Sequence, residues 1–229
     1  MMKHGVKPIW VFDGRPPTLK SGVLAKRKKT KKEAEEKLEE AAEVGDAVEV
    51  AKAVKGTVRV TPKHNEEAKK LLRLMGVPVI EAPTEAEAQC AELVKKDKAW
   101  AVGTEDMDAL TFGAPRLLRY LTYSEQRNKP VLEISLQTVL EELGMNMDSF
   151  VDLCILMGCD YLETIPKIGM KRAYELVKQY GSIEEILKNL DPEKHPLPEN
   201  WDFESVRGLF KNPEVIPGEQ VEIKWTDPD

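Results

Sequence analysis

"AWAVGTEDMDAL", residues 99–110, sets an apolar run directly against Glu105, Asp106 and Asp108, then returns at once to Ala109 and Leu110. The run predicts a buried strand over 99–104. Acids normally sit in solvated loops, so a tight acidic knot between apolar segments needs a physical reason. Two are available: the acids cap the helix that follows the strand, or they hold something positive.

Neighbouring segments repeat the arrangement. "KPIWVF" (7–12) is β-branched and aromatic and stops at Asp13-Gly14, a strand ending on an acid. Ala68, Leu71, Leu72 and Met75 form an i, i+3, i+4, i+7 stripe, which predicts an amphipathic helix ending at Gly76. "VPVI" (77–80) reads as the next strand and "TEAEAQCAELVKK" (84–96) as the helix after it. "RLLRYL" (116–121) and "VLEIS" (131–135) read as shorter strands. Alternating strands and helices predict an α/β fold, a mainly parallel central sheet flanked by helices. Sites in such sheets form beyond the carboxyl ends of the strands. Asp13, Glu85/Glu87 and Asp106/Asp108 all fall just past those ends. From about residue 136 the sequence turns helical, through "LQTVLEELG", "DSFVDLCILMG", "MKRAYELVKQYG" and "SIEEILKNL". The segment from Asp191 is rich in Pro and Trp and has no clear period.

The chain has 229 residues, 41% hydrophobic and 32% charged, enough for one substantial α/β core. Its three cysteines form no CxxC pair, and the odd count argues against a disulfide framework, so a reducing compartment is expected. No apolar run approaches the ~20 residues of a membrane span. The formal net charge of −6 argues by itself against a nucleic-acid partner. Yet residues 20–37 hold eight Lys/Arg against Glu33, Glu35 and Glu36, a local site for an anion. The run "KRKKTKK" (26–32) also fits a nuclear-localisation patch or a solvated helix face.

Taken singly, each acid has a structural explanation. Thr84-x-x-Glu87 has the form of a capping box, and Glu85 gains from the helix dipole. Asp106 and Asp108 are placed to begin a helix. Their convergence is different, because carboxylates ~4 Å apart repel by roughly 4 kcal/mol at an effective dielectric near 20. Five or six at one sheet edge require protons or cations. With the three histidines scattered (His4, His64, His195), an all-oxygen donor set selects Mg²⁺, Mn²⁺ or Ca²⁺ over zinc. Metal-bound carboxylates beside a basic segment point to phosphodiester hydrolysis. Glu85 and Glu87 are i, i+2, and on a regular helix they would point apart unless they sit at its frayed first turn.

"IWVFDGRPPTLKSGVLAKR", "APTEAEAQCAELVK", "TEDMDALTFG" and "FVDLCILMGCDYLETIPKIGMKRAYELV" together resemble the flap endonuclease family, structure-specific 5′ nucleases of replication and repair. The resemblance runs along nearly the whole chain. It implies metal-binding roles for Asp13, Glu85, Glu87, Asp106, Asp108 and Asp160. It also implies that Lys20 and Arg27, on a helical arch, meet the scissile phosphate and stabilise its developing charge. The activity implied is Mg²⁺-dependent cleavage of 5′ flaps with 5′–3′ exonuclease action. Two ions take part, Mn²⁺ can substitute, and a 5′-phosphate and a 3′-hydroxyl are left. Okazaki fragment maturation and base excision repair are the implied settings, in the nucleus (nucleolus and nucleoplasm) and mitochondrion.

"GCDYLETIPKIGMKRA" (158–173) adds a helix-hairpin-helix: one helix ends at Gly158 and Gly169 opens another bearing Lys171 and Arg172. Glycine lets a DNA backbone approach, and free amides at a helix start attract phosphate. An ordinary αα-hairpin is the alternative from the residues alone. The resemblance implies a duplex grip involving Glu85, Gly158, Asp160, Gly169, Lys171 and Arg172, with K⁺ on the turn carbonyls. Many relatives read Gly-Ile-Gly where this chain has Lys167-Ile168-Gly169, and Cys159 replaces a common serine.

The organisation expected is a partial nuclease core with its arch (1–135, arch about 18–56), a helix-hairpin-helix region (136–190), and a segment packed on the core (191–229). The family's upstream strand with a further metal-ligand aspartate and its sliding-clamp peptide are not in this sequence. A fragment, short isoform or truncated gene model is therefore expected. The implied partner is branched DNA with a 5′ flap, bound by a monomer, without a membrane. The competing expectations are a catalytically impaired form that only binds flap DNA, and a structure-specific nuclease of a sister branch.

Overall fold

A computed structural model describes residues 1–22, 60–122 and 129–227. Arg27 and most of the arch predicted at 18–56 lie outside them. Two hydrogen-bonded ladders form the sheet framework. In the first, β1 (Trp10–Phe12) pairs in parallel with β2 (Val79–Glu81), Trp10 opposite Val79 and Phe12 opposite Glu81. In the second, β3 (Val102–Gly103) runs parallel to β4 (Arg116–Arg119), and β5 (Leu132–Ser135) closes antiparallel on β4. The strands are shorter than the apolar runs that predict them. The parallel β1–β2 pairing nonetheless brings the ends of those two strands to one side, and the Thr104 hydroxyl just after β3 reaches Glu87 there at 3.4 Å.

Before β2 comes α1 (Pro62–Leu74), capped by the Thr61 hydroxyl, which accepts the His64 amide. Its helical period is as predicted, but its buried residue is not. Leu71 and Met75 of the apolar stripe are exposed, while Lys69 is buried and paired with Glu81 at 2.7 Å and Glu66 at 2.9 Å. Its ammonium also lies 5.4 Å from the centre of the Phe12 ring. Two carboxylates and a ring face offset the desolvation of this cation, which a hydrophobicity pattern cannot anticipate.

The helix α2 (Ala86–Lys95) packs on both ladders, contacting β1 and β3, and buries Ala88, Ala91, Leu93 and Val94. It is followed by the short α3 (Asp108–Thr111), α4 (Leu136–Leu143) and α5 (Met147–Met157). Then come α6 (Met170–Tyr180), α7 (Ile183–Asn189) and α8 (Phe203–Lys211). One apolar core runs through these elements, from Ala88 and Val102 to Ile155, Leu176 and Phe210. The Phe112 and Phe210 rings meet at 5.0 Å, joining the α/β part to the helices.

The sequence beyond Asp191 contains α8, which aperiodicity does not predict. Asp202 caps it by accepting the Ser205 amide at 3.0 Å, and Val206 and Phe210, one turn apart, fill the core. The chain then runs along α2. There the fully buried Gln89 amide exchanges two hydrogen bonds with the Ile216 backbone, at 2.9 and 2.8 Å. A buried side-chain amide satisfied at both ends fixes the register of an otherwise irregular segment.

Candidate metal centre

The acids that sequence places past the strand ends do converge. Asp13, Glu85 and Glu87 each bring one carboxylate oxygen to within 4.8 Å of the others. The i, i+2 objection to Glu85 and Glu87 disappears because Glu85 is not helical. It is the residue before α2, with an extended backbone (φ −83°, ψ 130°), and Glu87 lies in the first turn. The predicted capping box is not formed. The Thr84 hydroxyl donates to the Glu214 carbonyl at 3.0 Å, and it is Asp13 that accepts the Ala86 amide at 2.9 Å. Two loops hold this trio in place: the Gly14 amide donates to the Thr84 carbonyl at 2.7 Å and the Arg15 amide to the Pro83 carbonyl at 3.0 Å.

Asp106 and Asp108 enter from the turn after β3. The Asp106 carboxylate accepts the Asp108 amide at 2.9 Å in the turn, and it is Asp108 that opens the next helix. The charges nevertheless reach the trio. Burial first, then Asp106, Asp160 and Glu87, push the Asp108 carboxyl up to about 6. Burial, then the charges of Asp13, Asp106 and Glu85, raise Glu87 above the usual carboxylate range. Asp160 stands in a tight turn where Cys159 bridges Leu162 after α5.

Lys20 is the counter-charge. Its ammonium lies 2.9 Å from Glu85 and 3.3 Å from Asp160, and 5.7 Å from the centre of the Tyr161 ring. Burial alone would lower its pKa. The Glu85 hydrogen bond and the charges of Glu85 and Asp160 outweigh burial and hold it above its ordinary value. Among the described residues, one ammonium against several carboxylates leaves a surplus of negative charge in a partly buried site.

The donor set fits a hard divalent cation. It consists of carboxylate oxygens, and the trio's spread is one that a single ion of ~2.1–2.5 Å bond length spans with small side-chain adjustment. Cys90, one turn on from Glu87 in α2, is not part of this trio, and burial and then the charges of Glu87 and Asp13 push its thiol up to about 12.

Three positions here have no assigned role in the sequence reading. Thr104 donates its hydroxyl to Glu87 at 3.4 Å and accepts the Asp106 amide at 3.1 Å. Glu105 leaves the site altogether and binds the end of β4. Tyr161, in the Asp160 turn, presents its ring to Lys20.

The hairpin after α5 is as expected in outline. Gly158 ends α5 at φ 110°, where a Cβ would lie 2.8 Å from Thr164, and Gly169 precedes α6. Lys171 and Arg172 are exposed on the first turn of α6. Four carbonyls of the turn already have partners: Glu163 accepts the Trp201 indole N–H at 2.7 Å, Ile165 the Ile168 amide at 3.1 Å and Gly169 the Ala173 amide at 2.9 Å, and the Pro166 oxygen lies 3.0 Å from His195 Nδ1. Lys167 adopts φ 64°.

The XPG N-terminal domain matches residues 1–34 and the XPG I-region residues 76–160. Flap endonuclease 1 of Nematostella vectensis is 55% identical over all 229 residues, and that of Dictyostelium discoideum 56%. The chain spans about 60% of the length of these curated relatives. The solved flap endonuclease-1 from Methanococcus jannaschii superposes with a TM-score of 0.66 at 39% identity, over 94% of this chain and 64% of that one. The catalytic core of Rad2, solved with a DNA substrate, shares the fold with a TM-score of 0.75 at 23% identity, over 100% and 72%. By its sequence, its acidic sheet edge and its fold, this chain belongs to the flap endonuclease family.

Proposed function

We propose that this chain carries the catalytic part of a metal-dependent nuclease that cuts a phosphodiester bond where a 5′ flap leaves a duplex. The observation that carries the reading is the meeting of Asp13, Glu85 and Glu87 within 4.8 Å, with Lys20 held across Glu85 and Asp160. Asp13, Glu85, Glu87, Asp106, Asp108 and Asp160 would hold the ions, Mg²⁺ or its substitute Mn²⁺. When bound, such ions supply a hydroxide at neutral pH and stabilise the leaving oxygen. The Lys20 ammonium, set among these carboxylates, is placed to meet a phosphate that enters beside them. Arg27, outside the described residues, is assigned the same task by the family resemblance. Lys171 and Arg172 would take duplex phosphates at the start of α6, with Gly169 leaving the approach open: a Cβ there would meet nothing within 4 Å. K⁺ at the 163–169 turn belongs to the same reading and would use carbonyls other than those of Glu163, Ile165, Pro166 and Gly169.

Work in replication and repair, in the nucleus and mitochondrion, follows from the family, whose full-length members have a sliding clamp as partner. The basic run at 26–32 supports nuclear import. The test is cleavage of an end-labelled 5′-flap duplex by the 229-residue chain with Mg²⁺, with EDTA, and by Asp108→Asn. The expected result is Mg²⁺-dependent incision that Asp108→Asn abolishes while flap binding persists. Incision by Asp108→Asn at the parental rate would overturn the metal assignment. Flap binding without turnover would leave this chain a binding role alone.

A further inference from the structure

Glu105 is the one acid of "TEDMD" that does not face the metal centre. Its Oε1 accepts the backbone amide of Tyr120 at 2.6 Å, and its Oε2 lies 3.2 Å from Arg119 Nη2 and 3.3 Å from Nε. The β3–β4 ladder is only two residue pairs long, and its last backbone bond runs from the Thr104 amide to the Leu118 carbonyl at 3.2 Å. Beyond that bond the chain must hold Asp106 and Asp108 against the repulsion of Glu87 and Asp160. Glu105 extends the attachment to β4 by one further pair, on the side away from the site. Tyr120 is held at φ 67°, a left-handed backbone that costs a non-glycine residue about 1 kcal/mol.

On the inner side, the Thr104 hydroxyl joins Glu87 to the Asp106 amide. The turn is therefore fastened at both faces, and both fastenings lie directly beside the acids.

We propose that Glu105, with Thr104, is a positioning residue that sets the Asp106/Asp108 turn for metal binding. This rests on the reading of those aspartates as metal ligands. Outer hydrogen bonds to ligand-bearing elements typically change metal affinity by ~10–100-fold.

The test measures Mn²⁺ affinity of the full chain without DNA, by calorimetry, together with amide exchange at Tyr120 in the metal-free protein. Glu105→Ala is expected to weaken Mn²⁺ binding by about tenfold or more and to expose the Tyr120 amide, with circular dichroism unchanged. Glu105→Gln keeps an acceptor for that amide and is expected to restore most of the affinity. Thr104→Ser should likewise outperform Thr104→Val. Parental Mn²⁺ affinity in Glu105→Ala, beside a loss in Asp108→Asn, would overturn the proposal, as would a lowered melting temperature with affinity intact. Parental Mn²⁺ affinity in Asp108→Asn would instead overturn the ligand assignment. Protection of the Tyr120 amide would still read the clasp in that case, and should Glu105→Ala fail to fold, Glu105→Gln and the Thr104 pair carry the comparison.

Discussion

Asp13, the residue just past β1, accepts the amide of Ala86, the first residue of α2, at 2.9 Å. A carboxylate that follows one strand thus caps the helix that follows its neighbour, and the two loops bearing Asp13 and Glu85 become one unit. Gly14 makes this possible. A Cβ there would lie 2.0 Å from the Ala82 carbonyl oxygen and 2.4 Å from that of Pro83. Gly14→Ala must push the loops apart, so it is expected to cost more than about 2 kcal/mol of stability and to abolish Mn²⁺ binding. Calorimetry with thermal melting checks both, and parental metal affinity would show that the loops need not touch.

Lys20 supplies the second prediction. Its side chain and that of Glu85 are only 15% and 11% exposed, so removing the ammonium leaves a buried carboxylate short of its partner. Lys20→Met is expected to destabilise the metal-free chain by about 2 kcal/mol, or roughly 4–8 °C in melting temperature. A divalent ion replaces the lost charge, so saturating Mn²⁺ should close most of the gap. A difference of the same size with and without Mn²⁺ would mean that Lys20 contributes packing alone.

These residues show how much the sequence discloses. Past-the-strand acids can be read from it, because a buried parallel strand must end in a loop at one edge, and Asp13, Glu85, Asp106 and Asp108 each follow an apolar run. The bonds inside the site cannot. The Thr84-x-x-Glu87 pattern predicts a cap from local spacing, yet Asp13, more than 70 residues away in sequence, wins the Ala86 amide. Lys69 is buried against the apolar stripe's prediction because Glu66, Glu81 and Phe12 surround it. Glu105 has no role in the sequence reading until β4 is placed beside it. Long-range partners decide all three cases, and a one-dimensional period carries no record of them.

Stability in acid is expected to follow Glu184. Arg207 bridges Glu184, at 2.6 Å, and the buried Asp152, at 2.7 Å, joining α5, α7 and α8. The Arg207 hydrogen bonds hold the Glu184 carboxyl down at about 2, against 4.5 ordinarily. In the folded chain this group is still ionised when its unfolded counterpart takes up a proton. Its contribution is therefore complete above about pH 4.5 and is lost as pH falls through about 2. The difference in melting temperature between the parent and Glu184→Gln should be constant above pH 5 and shrink steadily toward pH 2. A difference that does not vary with pH would assign the contact to geometry rather than charge.

Lys167 offers the sharpest separation of stability from binding. Its φ of 64° places a side-chain-bearing residue in the left-handed region, at the turn that precedes α6. Glycine there relieves about 1–2 kcal/mol of backbone strain but adds about 0.4–1 kcal/mol of unfolded-chain entropy. Lys167→Gly is therefore expected to be more stable by a few tenths to about 1 kcal/mol. The same change removes an exposed cation beside Lys171 and Arg172. If Lys167 meets a duplex phosphate, affinity should fall for every sequence alike, and the slope of log affinity against log salt should drop by about 1. Gain in melting temperature with an unchanged slope would make Lys167 a strained turn residue with no hold on DNA. Loss of stability would show that the lysine side chain makes contacts that outweigh its backbone strain.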